Sequence, residues 1–246
     1  LALLLAAWVA RHVLRPVAAL ARDAEAAASG NTFVGQPVGE PSTIHEFEFL
    51  RERIENAHAA LKVLEAAGYT VHLPQAKDST RPLCCGRTFL ATGMVDKARE
   101  HARELIDTLL PFAERGVAIV GLEPSCLLTL RDEALVLGLG EMAHKVSEQA
   151  LLFEEFLARE AVAGQLDTLK SKLEATRRPI LLHGHCHQKA FGLMPPVLEV
   201  IRLIPGAKPQ LIESSCCGMA GSFGYEAEHI GVSQQMAELS LLDRKS

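Results

Sequence analysis

Several features of common functional classes are missing from the 246-residue sequence. There is no excess of basic residues, because the formal net charge is -5, and this balance argues against a nucleic-acid partner. The glycine-rich turn after Cys217 has neither the G-x-G-x-x-G spacing of a dinucleotide site nor a phosphate-loop lysine. No Ser-His-Asp constellation is recognisable either, so we assign no catalytic residue.

Long hydrophobic runs are also absent. The apolar opening is about half of the roughly 20 residues that a membrane-spanning helix needs, and it ends before Arg11. It has neither the basic start nor the small-residue cleavage site of a secretory signal. Because the chain begins with Leu1 instead of methionine, we expect it to continue a longer protein. If the missing part completes a transmembrane helix, residues 1–14 would attach the protein to a membrane, and Arg11 and Arg15 would mark the following segment as cytoplasmic, at the inner face.

What the sequence does contain is a large apolar fraction, 48%, which is enough for a substantial core. Apolar residues recur at helical spacing over residues 13–27. The following residues 32–41 are rich in glycine and proline and predict an extended connector. A second amphipathic helix begins near Thr43, whose spacing to Glu46 is that of a capping box, and it ends at Gly68.

This layout of apolar tail, Arg-Pro pair, heptad helix, connector and second heptad helix resembles a HAMP linker of bacterial membrane sensors. The resemblance covers residues 1–58 and defines the first predicted domain. It implies a homodimer formed through residues 13–64.

From Gly68 onward, short strand patterns alternate with longer helical patterns, which is typical of an α/β domain with a mainly parallel sheet. The expected strands cover residues 69–73, 117–120, 180–183 and 210–213. The expected helices cover residues 95–112, 146–159, 188–203 with a break near Pro195-Pro196, and 226–242. Each expected strand runs toward a cysteine, and ligands of open α/β sheets collect at the carboxyl ends of the strands. We therefore expect the cysteines to meet at one edge of the sheet.

The six cysteines form an internal repeat. Cys84-Cys85-Gly86 in the first half recurs as Cys216-Cys217-Gly218 in the second, and each pair precedes a helical segment. Each half adds one more cysteine just after a strand, Cys126 in the first and Cys186 in the second. The sequence thus predicts two groups of three cysteines.

Disulfide bonds and inert buried thiols are the alternatives to metal ligation. Neighbouring α-carbons lie about 3.8 Å apart across a trans peptide, which is short for a disulfide, so adjacent cysteines pair poorly. The chain shows no sign of secretion and is large enough to need no covalent staple. Free cysteine is often buried. Two copies of Cys-Cys-Gly at strand-to-loop junctions nevertheless favour metal ligation, because glycine relieves crowding where the backbone bends around a bound group.

Residues 59–246 resemble the Cys-Cys-Gly cysteine-rich domain of the glycolate oxidase iron-sulfur subunit, the heterodisulfide reductase B subunit and the carboxyl end of FAD-linked D-2-hydroxy-acid dehydrogenases. Four motifs carry the resemblance, namely Cys84-Cys85-Gly86-Arg87, Glu123-Pro124-Ser125-Cys126, His183-Gly184-His185-Cys186-His187-Gln188-Lys189 and Cys216-Cys217-Gly218-Met219-Ala220-Gly221-Ser222-Phe223-Gly224. The resemblance implies an internally duplicated, Rossmann-like parallel-sheet α/β domain, preceded by the two amphipathic helices. Its halves are about 59–165 and 166–246.

The resemblance also implies an iron-sulfur cofactor of the 4Fe-4S type. The metal ligands that it implies are Cys84, Cys85, Cys126, Cys186, Cys216 and Cys217. We expect Arg87 and Lys189, which lie beside these ligands in the sequence, to raise the cluster's potential. The backbone at Gly86 and Gly218 is expected to wrap closely around the bound group.

Both halves have fewer cysteines than the family's fullest motif, which adds a leading cysteine and a final Cys-x-x-Cys. No cysteine precedes Cys84, none follows Cys217, and Glu123 stands where the final Cys-x-x-Cys of the first half would begin. The number and type of clusters therefore stay open.

Histidines near Cys186 are candidates to complete the ligand set. In an extended segment His183, His185 and His187 would share one face while Cys186 points to the other. We expect His185 to join the metal ligands, and His183 and His187 to hydrogen bond around them. A Cys/His set of this kind also suits tetrahedral zinc, which is the alternative cofactor.

The function implied by the resemblance is electron relay. In the family a flavin oxidises a D-2-hydroxy acid, and electrons pass through such centres to a quinone or another acceptor. The sequence carries no flavin-binding half, so we expect FAD on a partner chain or a missing domain, and this chain to be one component of an oxidoreductase complex. The alternative is a zinc-thiolate structural or redox-sensing domain joined to a HAMP signalling linker.

Overall fold

The computed structural model describes residues 45–76, 82–219 and 223–242, and the side chains of residues 45–54 and 225 are outside this description. The chain divides into two compact units, residues 1–82 and 83–246, which are described separately. The predicted membrane segment, first helix and connector all precede residue 45 and lie outside the described residues.

Helix α1, His45–Ala66, is the element that the structure describes in the first unit. The second predicted amphipathic helix is thereby confirmed, and it continues without interruption across the predicted boundary between residues 58 and 59. It ends where Gly68 takes a φ of 94° and the amide of Tyr69 donates to the carbonyl of Leu64 at 3.0 Å. The strand predicted over residues 69–73 is wrong, because none of the described segments pairs with this stretch.

The second unit contains short helices and strands in alternation. Its first part holds α2 (Arg87–Ala91), α3 (Val95–Ala113), β1 (Ile119–Gly121), α4 (Pro124–Arg131), α5 (Glu133–Val136), α6 (Glu141–Gln149), β2 (Ala150–Leu152), α7 (Phe153–Val162) and α8 (Asp167–Lys170). Its second part holds β3 (Ile180–Leu182), α9 (Cys186–Ala190), α10 (Met194–Arg202), β4 (Pro209–Leu211), a 3₁₀ turn (Phe223–Tyr225) and α11 (Ile230–Glu238).

Among the described residues, the strands form two separate parallel pairs instead of the single sheet that the sequence predicts. In one pair β1 lies beside β2, with Ile119 opposite Ala150, and in the other β3 lies beside β4, with Ile180 opposite Pro209. Three of the four predicted strands are present, each three residues long. The carboxyl end of β1 leads to Cys126, and the carboxyl ends of β3 and β4 lead to the cysteines of the second half.

Three predicted helices differ from the observed ones. The helix predicted over residues 146–159 is interrupted by β2, whose Ala150 and Leu152 are 2% and 1% exposed and pack in the core beside β1. The helix predicted over residues 188–203 is divided into α9 and α10, and its break precedes the two prolines, which occupy the first turn of α10. The last predicted helix is shortened to α11.

The main core of this unit lies where α3, α4 and α6 pack around β1 and β2. The largest side chains in it with less than 2% exposure are Ile106, Leu128, Val146 and Leu152. Helix α3 supplies its apolar face at helical spacing, through Ala98, Ala102, Ile106 and Leu109. Among the described residues, no helix has the length and apolarity required to span a bilayer.

Candidate metal centre

The first Cys-Cys-Gly motif makes a sharp turn directly before α2. Gly86 has a φ of 82°, which favours glycine, and its amide donates to the Sγ of Cys84 at 3.4 Å. A side chain at this position would place its Cβ 2.5 Å from the carbonyl oxygen of Ala98 in α3. The turn therefore needs glycine both for its backbone angle and for its close approach to the next helix.

The second motif has the same local geometry. Gly218 has a φ of 84°, and its amide donates to the Sγ of Cys216 at 3.3 Å. A Cβ at Gly218 would overlap the carbonyl oxygen of Ser233 in α11, and the buried Ser233 hydroxyl donates to the carbonyl of Gly218 at 2.8 Å. In both halves a glycine amide thus points at the first sulfur of the pair while the glycine packs against a helix.

A third cysteine joins the first pair. Cys126 lies in the first turn of α4, and its thiol is in hydrogen-bond contact with Cys85. This hydrogen bond lowers the pKa of Cys85 from its ordinary value of 9.0 to about 7, although burial acts in the opposite direction. The same bond, with burial and the negative charge on Cys85, raises the pKa of Cys126. The thiolate of Cys85 is thus stabilised by a thiol that comes from a different element.

Glu123 connects α4 to this pair of thiols. Its Oε2 accepts hydrogen bonds from the amide of Cys126 and the hydroxyl of Ser125, each at 2.6 Å, and thereby caps the helix. Burial alone would raise the pKa of Glu123, but the hydrogen bonds from Ser125 and Cys126 hold it below its ordinary value of 4.5. The side chain is an anion at neutral pH, in contact with the Cys126 thiol.

In the second half, Cys186 begins helix α9 and does not continue an extended segment. The Nδ1 of His185 accepts from the amide of His187 at 3.2 Å, and the Oε1 of the buried Gln188 accepts from the amide of His185 at 3.0 Å. This reciprocal cap starts the helix at Cys186. The prediction that three histidines share one face of a strand is therefore wrong. The rings of His185 and His187 instead stack, with centroids 5.2 Å apart.

The three cysteines of the second half also interact. Partial desolvation of the thiol raises the pKa of Cys186, and the nearby charges of Cys216 and Cys217 and a hydrogen bond with Cys216 raise it further. Cys186 is exposed, whereas Cys216 and Cys217 are half-buried. The structure thus brings α9 and the second Cys-Cys-Gly motif together, as the sequence predicts.

Lys189 holds the chain that leads from β4 to Cys216. Its Nζ donates to the carbonyls of Ser214 and Ser215 at 2.8 and 3.0 Å. The hydroxyl of Ser214 lies 2.8 Å from the Nδ1 of His183, whose pKa is lowered by burial and by the charge of Lys189. These contacts fix the position of the second motif relative to α9.

Arg87 connects the two halves. Its guanidinium forms an ion pair with Glu133 at the start of α5, and its Nη2 lies 2.9 Å from the Nε2 of His187. The sequence places Arg87 and His187 beside the ligands, but nothing in it indicates that they meet each other. Glu133 was not predicted at all, because no spacing signal relates residues 46 positions apart.

The donor types fit an iron-sulfur group. Thiolates are its usual protein ligands, and both glycine amides already donate to cysteine sulfur. All six cysteines are free thiols. Within the described ranges, which include every cysteine, no three His, Cys, Asp or Glu side chains are placed to share a single metal ion. The contacts between cysteines instead join Cys85 to Cys126 in the first half and Cys186 to Cys216 and Cys217 in the second.

Comparison with known proteins matches the first half of this site to a family. Residues 48–131 match the family described as cysteine-rich domain (CCG). The match includes the first Cys-Cys-Gly motif and Cys126, and it begins inside α1. The comparisons give no support to the resemblance to a HAMP linker.

Three relatives show the breadth of the similarity. The chain is 30% identical over 176 residues to the C subunit of anaerobic glycerol-3-phosphate dehydrogenase from Escherichia coli K12, covering 71% of this chain and 42% of that protein. It is 30% identical over 149 residues to the D-2-hydroxyglutarate dehydrogenase of the same organism, covering 60% of this chain and 14% of that protein. It is 25% identical over 187 residues to lactate utilization protein A of Anoxybacillus flavithermus, covering 73% of this chain and 71% of that protein.

Two of these three relatives are dehydrogenases or dehydrogenase subunits. The chain spans less than half of the length of the first two. No solved structure gives a significant match to the chain.

Proposed function

We propose that the chain is the iron-sulfur, electron-transferring component of an FAD-linked oxidoreductase of the glycolate or D-lactate dehydrogenase type. The observation that carries the proposal is the repeated turn at Gly86 and Gly218, each of which directs an amide to a cysteine sulfur beside a third cysteine from another element. The dehydrogenase names of the relatives give the class of reaction.

The chain's own residues have separate tasks in this proposal. In the first half Cys84, Cys85 and Cys126 would hold a 4Fe-4S group, and in the second half Cys186, Cys216 and Cys217 would hold another. A bound group of this kind accepts and returns one electron at a time. The recurrence of the motif with the same glycine geometry supports the proposal that the two halves are an internal duplication.

The surroundings of the thiols would tune such a centre. The amides of Gly86 and Gly218 donate to sulfur and so stabilise added negative charge. Arg87 is held by the His187 side chain and Lys189 by the Ser214 carbonyl, so both cations lie next to the proposed ligands. Their positive charge also stabilises negative charge that a bound centre gains on reduction. Both effects raise the reduction potential of a bound centre.

Partners follow from this role. An FAD-binding subunit or domain would deliver electrons, and a quinone or another carrier would accept them. Membrane attachment through residues 1–14, a homodimer through residues 13–64 and a cytoplasmic location stay predictions. His185 stays a candidate ligand, although its Nδ1 is the acceptor that caps α9.

The test is the iron, zinc and acid-labile sulfide content of the full chain, purified anaerobically and reconstituted with ferrous iron and sulfide. We expect iron and sulfide together, a broad visible absorption, and an EPR signal after reduction with dithionite. Cys126→Ala and Cys216→Ala should each lower the iron content, whereas Ser171→Ala, at an exposed hydroxyl that donates to the carbonyl of Thr168, should not.

Other outcomes point elsewhere. Zinc without sulfide would contradict electron transfer and support the zinc-thiolate alternative. Absence of both metals after reconstitution would show that these cysteines hold no cofactor.

A further inference from the structure

Glu123 occupies an unusual position in the first cysteine group. It lies three residues before Cys126, which is the spacing of the two ligands in a Cys-x-x-Cys motif. Three cysteines supply one thiolate fewer than the four that usually hold a 4Fe-4S group. The side chain that stands at the missing thiolate's place is a carboxylate.

The structure brings this carboxylate to the thiols. Glu123 is in hydrogen-bond contact with the side chain of Cys126, and its charge also acts on Cys85. The two hydrogen bonds from Ser125 and from the Cys126 amide are both accepted by Oε2. A carboxylate has a second oxygen with its own lone pairs, and carboxylate oxygen is an accepted ligand of iron.

We propose that Glu123 is the fourth protein donor of the first cysteine group, so that Cys84, Cys85, Cys126 and the Glu123 carboxylate together hold its iron-sulfur cofactor. This inference rests on the proposed function. It gives Glu123 two tasks, because one carboxylate oxygen caps α4 while the carboxylate also binds metal.

The second half has a parallel arrangement with a different donor. There the residue that caps the cysteine-bearing helix α9 is His185, again through a single side-chain atom. In the first half the capping side chain lies three residues before the third cysteine, Cys126, and in the second half it lies directly before the third cysteine, Cys186. Each capping side chain could add a donor other than a thiolate. The two centres would then differ in ligand type, and therefore in potential and EPR spectrum.

A role in capping alone is the simpler explanation, and the choice of variants separates the two. Glu123→Gln keeps an amide oxygen that can accept from the Cys126 amide but removes the carboxylate. Glu123→Ser keeps a favoured helix cap with a much shorter side chain. Glu123→Cys restores a Cys-x-x-Cys motif. Glu114→Gln, at an exposed carboxylate that pairs with Lys145, is the matched control for loss of charge.

The experiment isolates the first group by placing each variant in a chain that also carries Cys216→Ala and Cys217→Ala. Iron and sulfide content, EPR spectrum and reduction potential are measured after anaerobic reconstitution, and far-UV circular dichroism checks the fold. We expect the parent to bind iron and sulfide, Glu123→Gln and Glu123→Ser to lose iron while they stay folded, and Glu123→Cys to bind a centre with an altered EPR spectrum. Glu114→Gln should match the parent.

Iron content, EPR spectrum and potential unchanged in both Glu123→Gln and Glu123→Ser would overturn the role of Glu123 and leave the proposed function intact. A folded parent that binds no iron or sulfide would overturn both. If Glu123→Gln does not fold, Glu123→Ser decides, because serine is among the best caps for a helix.

Discussion

The guanidinium of Arg87 lies 2.9 Å from the Nε2 of His187, although the two residues are 100 positions apart and belong to different cysteine groups. A guanidinium can only donate hydrogen bonds, so Nε2 must accept and the proton of the neutral ring is on Nδ1. That Nδ1 is buried and has no hydrogen-bond partner among the described residues. Arg87 thereby fixes both the orientation and the tautomer of the ring that follows Cys186.

We predict that Arg87→Ala destabilises the fold by about 1–2 kcal/mol, because it removes hydrogen bonds to Glu133 and His187, both partly buried. Urea unfolding followed by circular dichroism measures the change. Lys145→Ala, at an exposed ion pair with Glu114, is the control and should leave the midpoint unchanged. Equal midpoints for Arg87→Ala and the wild-type chain would show that the link between the halves contributes nothing to stability.

The close packing of Gly86 against α3 leads to a second prediction. In Gly86→Ala the alanine would have to adopt a φ of 82°, and its Cβ would overlap the carbonyl of Ala98. We therefore expect the free energy of unfolding to fall by about 2–5 kcal/mol. Gly93→Ala is the matched control. Its φ of 76° is equally unfavourable, but nothing lies within 4 Å of the added Cβ, so about 1 kcal/mol is expected. Similar losses at both positions, measured by thermal unfolding, would argue against the close packing of the motif.

The Cys85 and Cys126 pair makes the metal-free protein sensitive to pH. The pKa of Cys85 is lowered to about 7 in the folded chain, so its thiolate forms before that of the unfolded chain, whose ordinary value is 9.0. Because the pKa of Cys85 is lower in the folded chain than in the unfolded chain, ionisation of Cys85 stabilises the fold at high pH. This contribution is lost as the pH falls through the folded-state pKa. We therefore expect stability to rise between about pH 7 and pH 9.

Alkylation kinetics test this pair directly. The rate of Cys85 modification by iodoacetamide in the metal-free chain, followed by peptide mass spectrometry, should show a midpoint near pH 7. Cys126→Ala removes the donor and should shift the midpoint upward, because burial then acts without the compensating hydrogen bond. A midpoint that does not move in Cys126→Ala would contradict the contact between the two thiols.

The strand β2 shows why part of the fold could not be predicted from sequence. Alanine and leucine are strong helix formers, so residues 150–152 continue the helical pattern on both sides of them. Their strand conformation depends on pairing with β1, about 30 positions away, and on burial of Ala150 and Leu152 in the same core. Helix α3, in contrast, was predicted to within one residue, because its apolar face has a clear helical period.

The candidate site was predictable where local chemistry determines geometry. A glycine directly after paired cysteines indicated a tight turn, and both Gly86 and Gly218 have positive φ and close backbone neighbours. The contacts of Arg87 were not predictable, because they depend on how α5 and α9 pack. The histidine faces were misjudged because the cap formed by His185 and Gln188, which starts a helix at Cys186, was not recognised.

A partly buried ion pair of the first half lies against a residue of the second half. Both Glu155 oxygens accept from Arg131, at 3.0 and 2.7 Å, and the guanidinium also lies 5.8 Å from the centre of the Phe191 ring, directly after α9. The Glu155 side chain is only 12% exposed, so Arg131→Ala would leave its negative charge without an ionic partner, held only by the amide of Leu152, which donates to Oε2 at 2.9 Å. We expect a loss of about 2–4 kcal/mol in urea unfolding. Arg131→Ala combined with Glu155→Gln should recover part of this loss, and failure to recover any would show that the pair's charges are not the cause.

Lys189 makes the last prediction, which depends on the proposed function. The Lys189 ammonium donates to the carbonyls of Ser214 and Ser215, so Lys189→Met removes both hydrogen bonds and should loosen the segment that leads to Cys216. The methionine side chain can still fill the space of the lysine's aliphatic carbons. In a chain that carries Cys85→Ala, where the second group alone is complete, we expect Lys189→Met to bind less iron and sulfide than its parent. Lys189→Arg should retain more, because arginine can also donate to carbonyls. If Lys189→Met binds as much iron as its parent but with a lowered reduction potential, Lys189 acts through its charge alone; equal iron and equal potential would refute both roles.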